Sequence, residues 1–212
     1  MAIIVFMAAT LHAQQETELN KWLRLGPKQV QQPVFSDVKN INGETYSDAD
    51  LMEHIHFDFA QTPAKDVSAY LMDKRFSWEA YEIPADSVLA SGLEGHNVIY
   101  MTTYLQTDQW SELRFTLSGN ALFEVYIDGE KKHTKKNSGN SNEVFTVELH
   151  EGNHQLMLKI LGTGEKVRLA GKVKAEESFE TLSMENTLDP TRALNIYDIL
   201  NGTEIESSSI SP

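Results

Sequence analysis

Chemistry is easiest to imagine in His54-Ile55-His56-Phe57-Asp58. On an extended strand, two imidazoles and a carboxylate would share one face, a donor set zinc accepts once a distant ligand completes the shell. The chain has no cysteine, and no HExxH or other spaced partner accompanies the triplet, so an ordinary polar strand face accounts for it equally well. Asp108-Gln109-Trp110 suggests different chemistry: an indole face and a carboxylate on a loop could stack on a sugar ring and hydrogen-bond its hydroxyls. Trp78, in Phe76-Ser77-Trp78, reads as a core anchor or a binding platform, and Trp110 too could be interior filler, since large aromatic residues are mostly buried. No G-x-S-x-G elbow, Gly-rich phosphate loop or EF-hand spacing occurs. No nucleophile, base and orienting group can be assembled, so the expectation is no catalytic residue, no cofactor and no firm metal site.

The elements that must position these residues are strands. Phe123, Val125 and Ile127 alternate with more polar neighbours, and Asp128-Gly129 supplies the positive-φ pair of a tight hairpin. Phe145, Val147 and Leu149 repeat the alternation, Glu151-Gly152-Asn153 turns the chain, and Leu156, Leu158 and Ile160 carry a further strand; residues 121–162 thus read as a meander on one face of a sandwich. Val98-Ile99-Tyr100-Met101-Thr102-Thr103-Tyr104-Leu105 is the strongest β-former and belongs in the centre of a sheet. Leu113, Phe115 and Leu117 alternate before Gly119-Asn120, and Val167, Leu169 and Val173 make a last strand. Lys21 to Leu25 reads as a short edge strand ended by Gly26-Pro27, with loop from 28 to 33. For residues 48–59 two periods compete: Leu51, Ile55 and Phe59 fit a helical stripe, His54, His56 and Asp58 a strand face. Lys131, Lys132, Lys135 and Lys136 read as a solvated loop with gatekeeping lysines, or as an anion site. About eight strands with little helix predict an all-β fold, a two-sheet antiparallel β-sandwich of jelly-roll type with an irregular C-terminal tail.

Composition narrows the partners. With 18 Lys and Arg against 31 Asp and Glu, the formal net charge of −13 disfavours nucleic acid and anionic membranes. The apolar run 2–9 is far shorter than the roughly 20 residues of a membrane span. Followed by Leu11-His12-Ala13-Gln14, it predicts a signal peptide over 1–13 and export to the periplasm or beyond. No Lys or Arg precedes the run, and a buried N-terminal strand is the alternative. The sandwich is expected over 21–176 and a linker or strap over 177–212.

From Val98 to Lys174 the pattern resembles the PA14-like and galactose-binding-like β-sandwich modules of exported multidomain proteins. The resemblance is carried by the hairpin Val125-Tyr126-Ile127-Asp128-Gly129 and by Val147, Leu149, Gly152, His154, Leu156, Leu158, Lys159 and Ile160. Trp22-Leu23-Arg24-Leu25-Gly26-Pro27 is similar to the opening of such modules, and Phe76-Ser77-Trp78 to their mid-domain segment. Ser118-Gly119-Asn120-Ala121 stands where calcium-dependent lectins of that kind carry adjacent aspartates, which argues against a calcium lectin. Ser209-Ile210-Ser211-Pro212 resembles the phrase opening a propeller blade in exported prolyl-oligopeptidase-type peptidases and TolB-like proteins. The resemblance implies a non-catalytic accessory module that packs against a downstream propeller and peptidase domain. The alternative is a carbohydrate-binding module using Asp108, Gln109, Trp110 and Trp78.

Overall fold

The structure is a computed structural model that describes residues 16–57 and 62–175, with the backbone of 182–185. The expected signal peptide, Asp58 and most of the expected strap lie outside the described residues. The strands are β1 (Glu16–Glu18), β2 (Lys21–Val30), β3 (Ser68–Leu71), β4 (Lys74–Ser77), β5 (Glu79–Glu82), β6 (Val88–Ser91) and β7 (His96–Thr107). They continue as β8 (Ser111–Gly119), β9 (Leu122–Ile127), β10 (Glu130–Lys135), β11 (Ser141–Leu149), β12 (Gly152–Gly162), β13 (Lys166–Ala175) and β14 (Leu182–Glu185). The helix α1 (Asp48–His54) lies between β2 and β3. No described helix is long and apolar enough to cross a membrane.

Two antiparallel sheets face one another, as the alternation predicts. The smaller runs β1-β13-β8-β11 with β6 on the far part of β13; the larger runs β10-β9-β12-β7-β2-β5 with β14 beside β7. Between them lies a core built from the inward residues of each strand, among them Trp22, Met101, Phe115, Phe123, Leu158 and Val173. Residues 121–162 are not a meander on one face, however. The hairpin β9–β10 belongs to the larger sheet, β11 crosses to pair with β8, and β12 returns to sit between β9 and β7. Alternation tells which side chains point inward, and both sheets share that inside, so it cannot say which sheet a strand joins. The hairpin itself is as expected, with Asp128 at φ 51 and Gly129 at φ 80.

The larger sheet is buried on both faces. Its outer face carries a second core, including Leu23, Leu25, Tyr100, Met157 and Leu161, roofed by α1 and the β3–β4 hairpin. This explains why side chains on both faces are buried along most of β7 and through the second half of β12. Of the two periods open over 48–59, the helical one forms through residue 54. Ser47 and Asp50 make a reciprocal capping box at its start. A seven-residue helix is not stable alone. Leu51, Met52 and the adjoining Ile55 are buried under it, at about 1.5–3 kcal/mol each.

Two further expectations are corrected. β2 does not end at Gly26-Pro27: its register on β7 shifts between Leu25 and Lys28, so Pro27 sits in the irregularity where the ladder needs no donor, and pairing resumes to Val30. Gly26 has φ 96, and a Cβ there would lie 2.9 Å from the Val98 carbonyl oxygen. Lys131, Lys132 and Lys135 lie on strand β10, with the exposed Lys136 just beyond it, rather than together on a solvated loop. Lys135 is buried and donates to the carbonyls of Gly119, Ala121 and Gly139 at 3.2, 2.9 and 2.8 Å, while Lys132 pairs with Glu130 and His133 with Glu143.

Candidate functional site

On the outer face of the larger sheet, strand pairing sets side chains in rows. Glu124 of β9 lies opposite Lys159 of β12, which lies opposite Tyr100 of β7; in the adjacent row Tyr126 stands opposite Met157 on one side and Lys131 of β10 on the other. Leu122, Leu161 and Val98 close the far side, so a polar cluster is set into an apolar sheet face.

Glu124 is its hub. Its carboxylate accepts from Lys131 Nζ at Oε1 (2.8 Å) and, at Oε2, from Lys159 Nζ (2.8 Å) and the Tyr126 hydroxyl (2.6 Å). The side chains of Glu124 and Lys159 are only 2% and 5% exposed, whereas that of Lys131 is 46% exposed. Burial pushes the Glu124 carboxyl up, and hydrogen bonds from Lys131, Lys159 and Tyr126 more than reverse this, leaving it below the ordinary carboxylate range. Burial pulls Lys159 down, with Glu124 opposing it, and burial holds both Tyr100 and Tyr126 well above the usual phenol range, so both hydroxyls stay protonated.

Beside this cluster opens a cavity of about 320 Å³, lined by Tyr100, Glu124, Tyr126, Lys131 and Lys159 from the sheet and by Glu53, Ile55, His56 and Phe57 from the end of α1 and the segment after it. Phe57 lies over Tyr100 with ring centroids 4.7 Å apart and meets Trp78 edge-on at 5.9 Å. Among the described residues, two buried polar side-chain atoms have no hydrogen-bond partner, Arg24 Nε and the Tyr100 hydroxyl. Arg24 uses its other nitrogens on Leu89 and Glu79 and does not line the cavity; Tyr100 does. A larger concavity of about 570 Å³ lies along β1, β8 and β13, but no aromatic side chain lines it.

The residues singled out from sequence are scattered. Asp108, Gln109 and Trp110 form the loop between β7 and β8, where Trp110 is 44% exposed and Gln109 accepts from the Ser111 hydroxyl at 2.7 Å. None of the three lines the cavity. Trp78 is 1% exposed in the second core, which removes its ring from any ligand surface. His54 ends α1, with Nδ1 2.7 Å from the Asp50 carbonyl oxygen and 3.2 Å from the Tyr46 hydroxyl. His56 follows the helix and lines the cavity, so the shared strand face that would have joined the two imidazoles does not form. Among the described residues no three His, Cys, Asp or Glu side chains gather as a metal site would require.

Sequence reasoning missed Glu124, Lys159, Tyr100, Tyr126 and Lys131, because alternation assigns the outward residues of β9 and β12 to solvent. The available signal was apolar: Leu122, Met157 and Leu161 share that outward face.

No protein-family model and no curated protein matches the sequence. Among solved structures the chain is similar to a PA14 sugar-binding domain from an RTX adhesin, with TM-score 0.34 and 13% identity over 42% of this chain and 52% of that one. It is also similar to CBM35 from Cellvibrio japonicus Abf62, with TM-score 0.34 and 12% identity over 48% of this chain and 78% of that one. A third similarity is to the beta-glucosidase from Kluyveromyces marxianus, with TM-score 0.38 and 9% identity over 71% of this chain and 20% of that one. The matched region spans about half of the PA14 domain and a fifth of the glucosidase. No residue role is carried from these structures to this chain.

Proposed function

We propose that this β-sandwich is a non-catalytic carbohydrate-binding module whose ligand sits in the cavity beside Glu124. The observation that carries this reading is Tyr100, which lines the cavity and whose buried hydroxyl has no hydrogen-bond partner among the described residues. A buried unsatisfied hydroxyl costs about 1–3 kcal/mol, a cost that a ligand acceptor would remove on binding. A sugar offers hydroxyls along its edge and an apolar C–H face, and the cavity offers the complement: tyrosine and lysine donors, carboxylates, and aromatic rings. Glu124, held below the ordinary carboxylate range, is unsuited to the general-acid role that glycoside hydrolysis requires, which accords with binding rather than cleavage. Export to the periplasm or the cell exterior, where glycans abound, accords with the signal-like residues 1–13.

Titration calorimetry against a glycan panel tests the reading, comparing the natural chain with Tyr100→Phe. Saturable binding that weakens in the variant while Tm holds or rises is expected; absence of binding to any glycan would refute it.

One observation favours a second reading, the accessory module. Val34, Phe35, Val38 and Ile41 are all well exposed on the loop between β2 and α1, an apolar patch of the kind that packs against a neighbour. In that reading the neighbour is a propeller and serine-peptidase region further along the same chain. Reading the gene past Pro212 tests it: a stop codon directly there would remove the peptidase context.

A further inference from the structure

Resting on the carbohydrate reading, we infer that the cavity takes a single neutral sugar ring, held without a metal ion, and discriminates against acidic sugars. Two carboxylates, Glu53 and Glu124, and two ammonium groups, Lys131 and Lys159, line the cavity, so its formal charge from these groups is zero. Both lysines are already engaged by Glu124 at 2.8 Å. A sugar carboxylate would compete with Glu124 for the charge of the two lysines and would add a third carboxylate beside Glu53 and Glu124, the latter with its side chain only 2% exposed. It would do so in a chain whose formal net charge is −13.

A neutral hydroxyl faces no such competition. The Tyr100 hydroxyl, kept protonated by burial, needs an acceptor, and a sugar hydroxyl or ring oxygen is one. Lys131 Nζ has donors beyond the one given to Glu124, and its side chain lines the cavity while staying 46% exposed. The donor set also disfavours a bridging cation. Calcium takes 6–8 oxygen ligands, and Glu124, the best placed carboxylate, is bound to two lysines and a tyrosine.

Size completes the case. At about 320 Å³ the cavity lies at the lower end of the roughly 300–1,000 Å³ typical of small-molecule sites. Glu53, Ile55, His56 and Phe57 line it together with residues of β7, β9, β10 and β12, and a space of this size suits one ring.

The test is calorimetric titration with a series of methyl hexopyranosides and the matching hexuronates, each with and without EDTA. The expected result is that one or more neutral glycosides bind saturably, that EDTA changes nothing, and that each hexuronate binds at least tenfold more weakly than its neutral counterpart. Tyr100→Phe should weaken the neutral ligand by up to about tenfold. Glu53→Gln, at an exposed position, should narrow the gap by strengthening hexuronate binding, a change a merely structural role would not produce. Hexuronates binding as tightly as neutral glycosides, or binding abolished by EDTA, would overturn the inference while leaving the carbohydrate reading intact. Unchanged affinity in Tyr100→Phe would place the ligand elsewhere and also overturn it. If neither series binds, the inference falls, and the carbohydrate reading falls with it only if the wider glycan panel also fails to bind.

Discussion

Replacing Glu124 by Leu isolates what the polar hub contributes, because the outward face around it is already apolar at Leu122, Met157 and Leu161. In that variant Lys159 keeps its buried ammonium and loses the one carboxylate described within ion-pair distance. Breaking a buried pair from one side costs about 3–5 kcal/mol. About 4 kcal/mol is expected here, or roughly 8–16 °C in Tm for a domain of this size. The reverse change, Lys159→Met, should be milder, about 1.5 kcal/mol, because Glu124 retains Lys131 and the Tyr126 hydroxyl. If the two effects were independent, the double variant would lose about 5.5 kcal/mol; with both charges gone it should lose only about 1–2 kcal/mol, mostly for the hydrogen bond that the Tyr126 hydroxyl gives to Glu124. Urea unfolding followed by tryptophan fluorescence reads this directly, since Trp22 and Trp78 are buried in the two cores. Two outcomes would refute the reasoning: additivity of the two changes to within about 0.5 kcal/mol, or a larger loss from Lys159→Met than from Glu124→Leu.

Two other perturbations follow from the geometry. His154 directs Nδ1 at Asp128 Oδ2 (2.6 Å) and Nε2 at the His150 carbonyl (2.9 Å), two acceptors that only an imidazolium can serve at once, and the hydrogen bond it donates to Asp128 raises its pKa above 6.5. That stabilisation is complete below the unfolded value and is lost as pH rises through the folded one, so His154→Gln should lower Tm near pH 5.5 and make little difference near pH 8.5; a constant difference would contradict this. Gly119→Ala places a Cβ 2.6 Å from the Arg168 carbonyl oxygen, where β8 and β13 run together, and should cost roughly 1–3 kcal/mol in chemical denaturation; an unchanged midpoint would show that the strands can separate freely.

The one-sided strands were the legible ones. In β11, Val147 and Leu149 face the core while Glu148 does not, and the period of two conveys that directly. The Asp128-Gly129 turn and the central place of β7 were equally readable, since each depends on local backbone preference. Lys131 and Lys135 were misjudged because their partners are not local; one, though 46% exposed, meets Glu124 across the sheet, and the other, buried, meets three carbonyls brought together by the β8–β9 and β10–β11 connections. Such partners are set by strand order, which single-strand periodicity does not contain. The site escaped for the same reason, because the roof of α1 and the β3–β4 hairpin turns an outward face into a second interior.

The line Glu124, Lys159, Tyr100 also acts on strand alignment. A slip of β12 by one position would swap its two sides, driving the Lys159 ammonium among Phe115, Phe123 and Val173 and stranding Glu124 without a counterion. Slips by two positions keep the sides but bring Met157 or Leu161 opposite Glu124. A β12 composed only of leucine, methionine and isoleucine would resist neither error, so this single ammonium serves as a key that lets the three strands mate in one alignment.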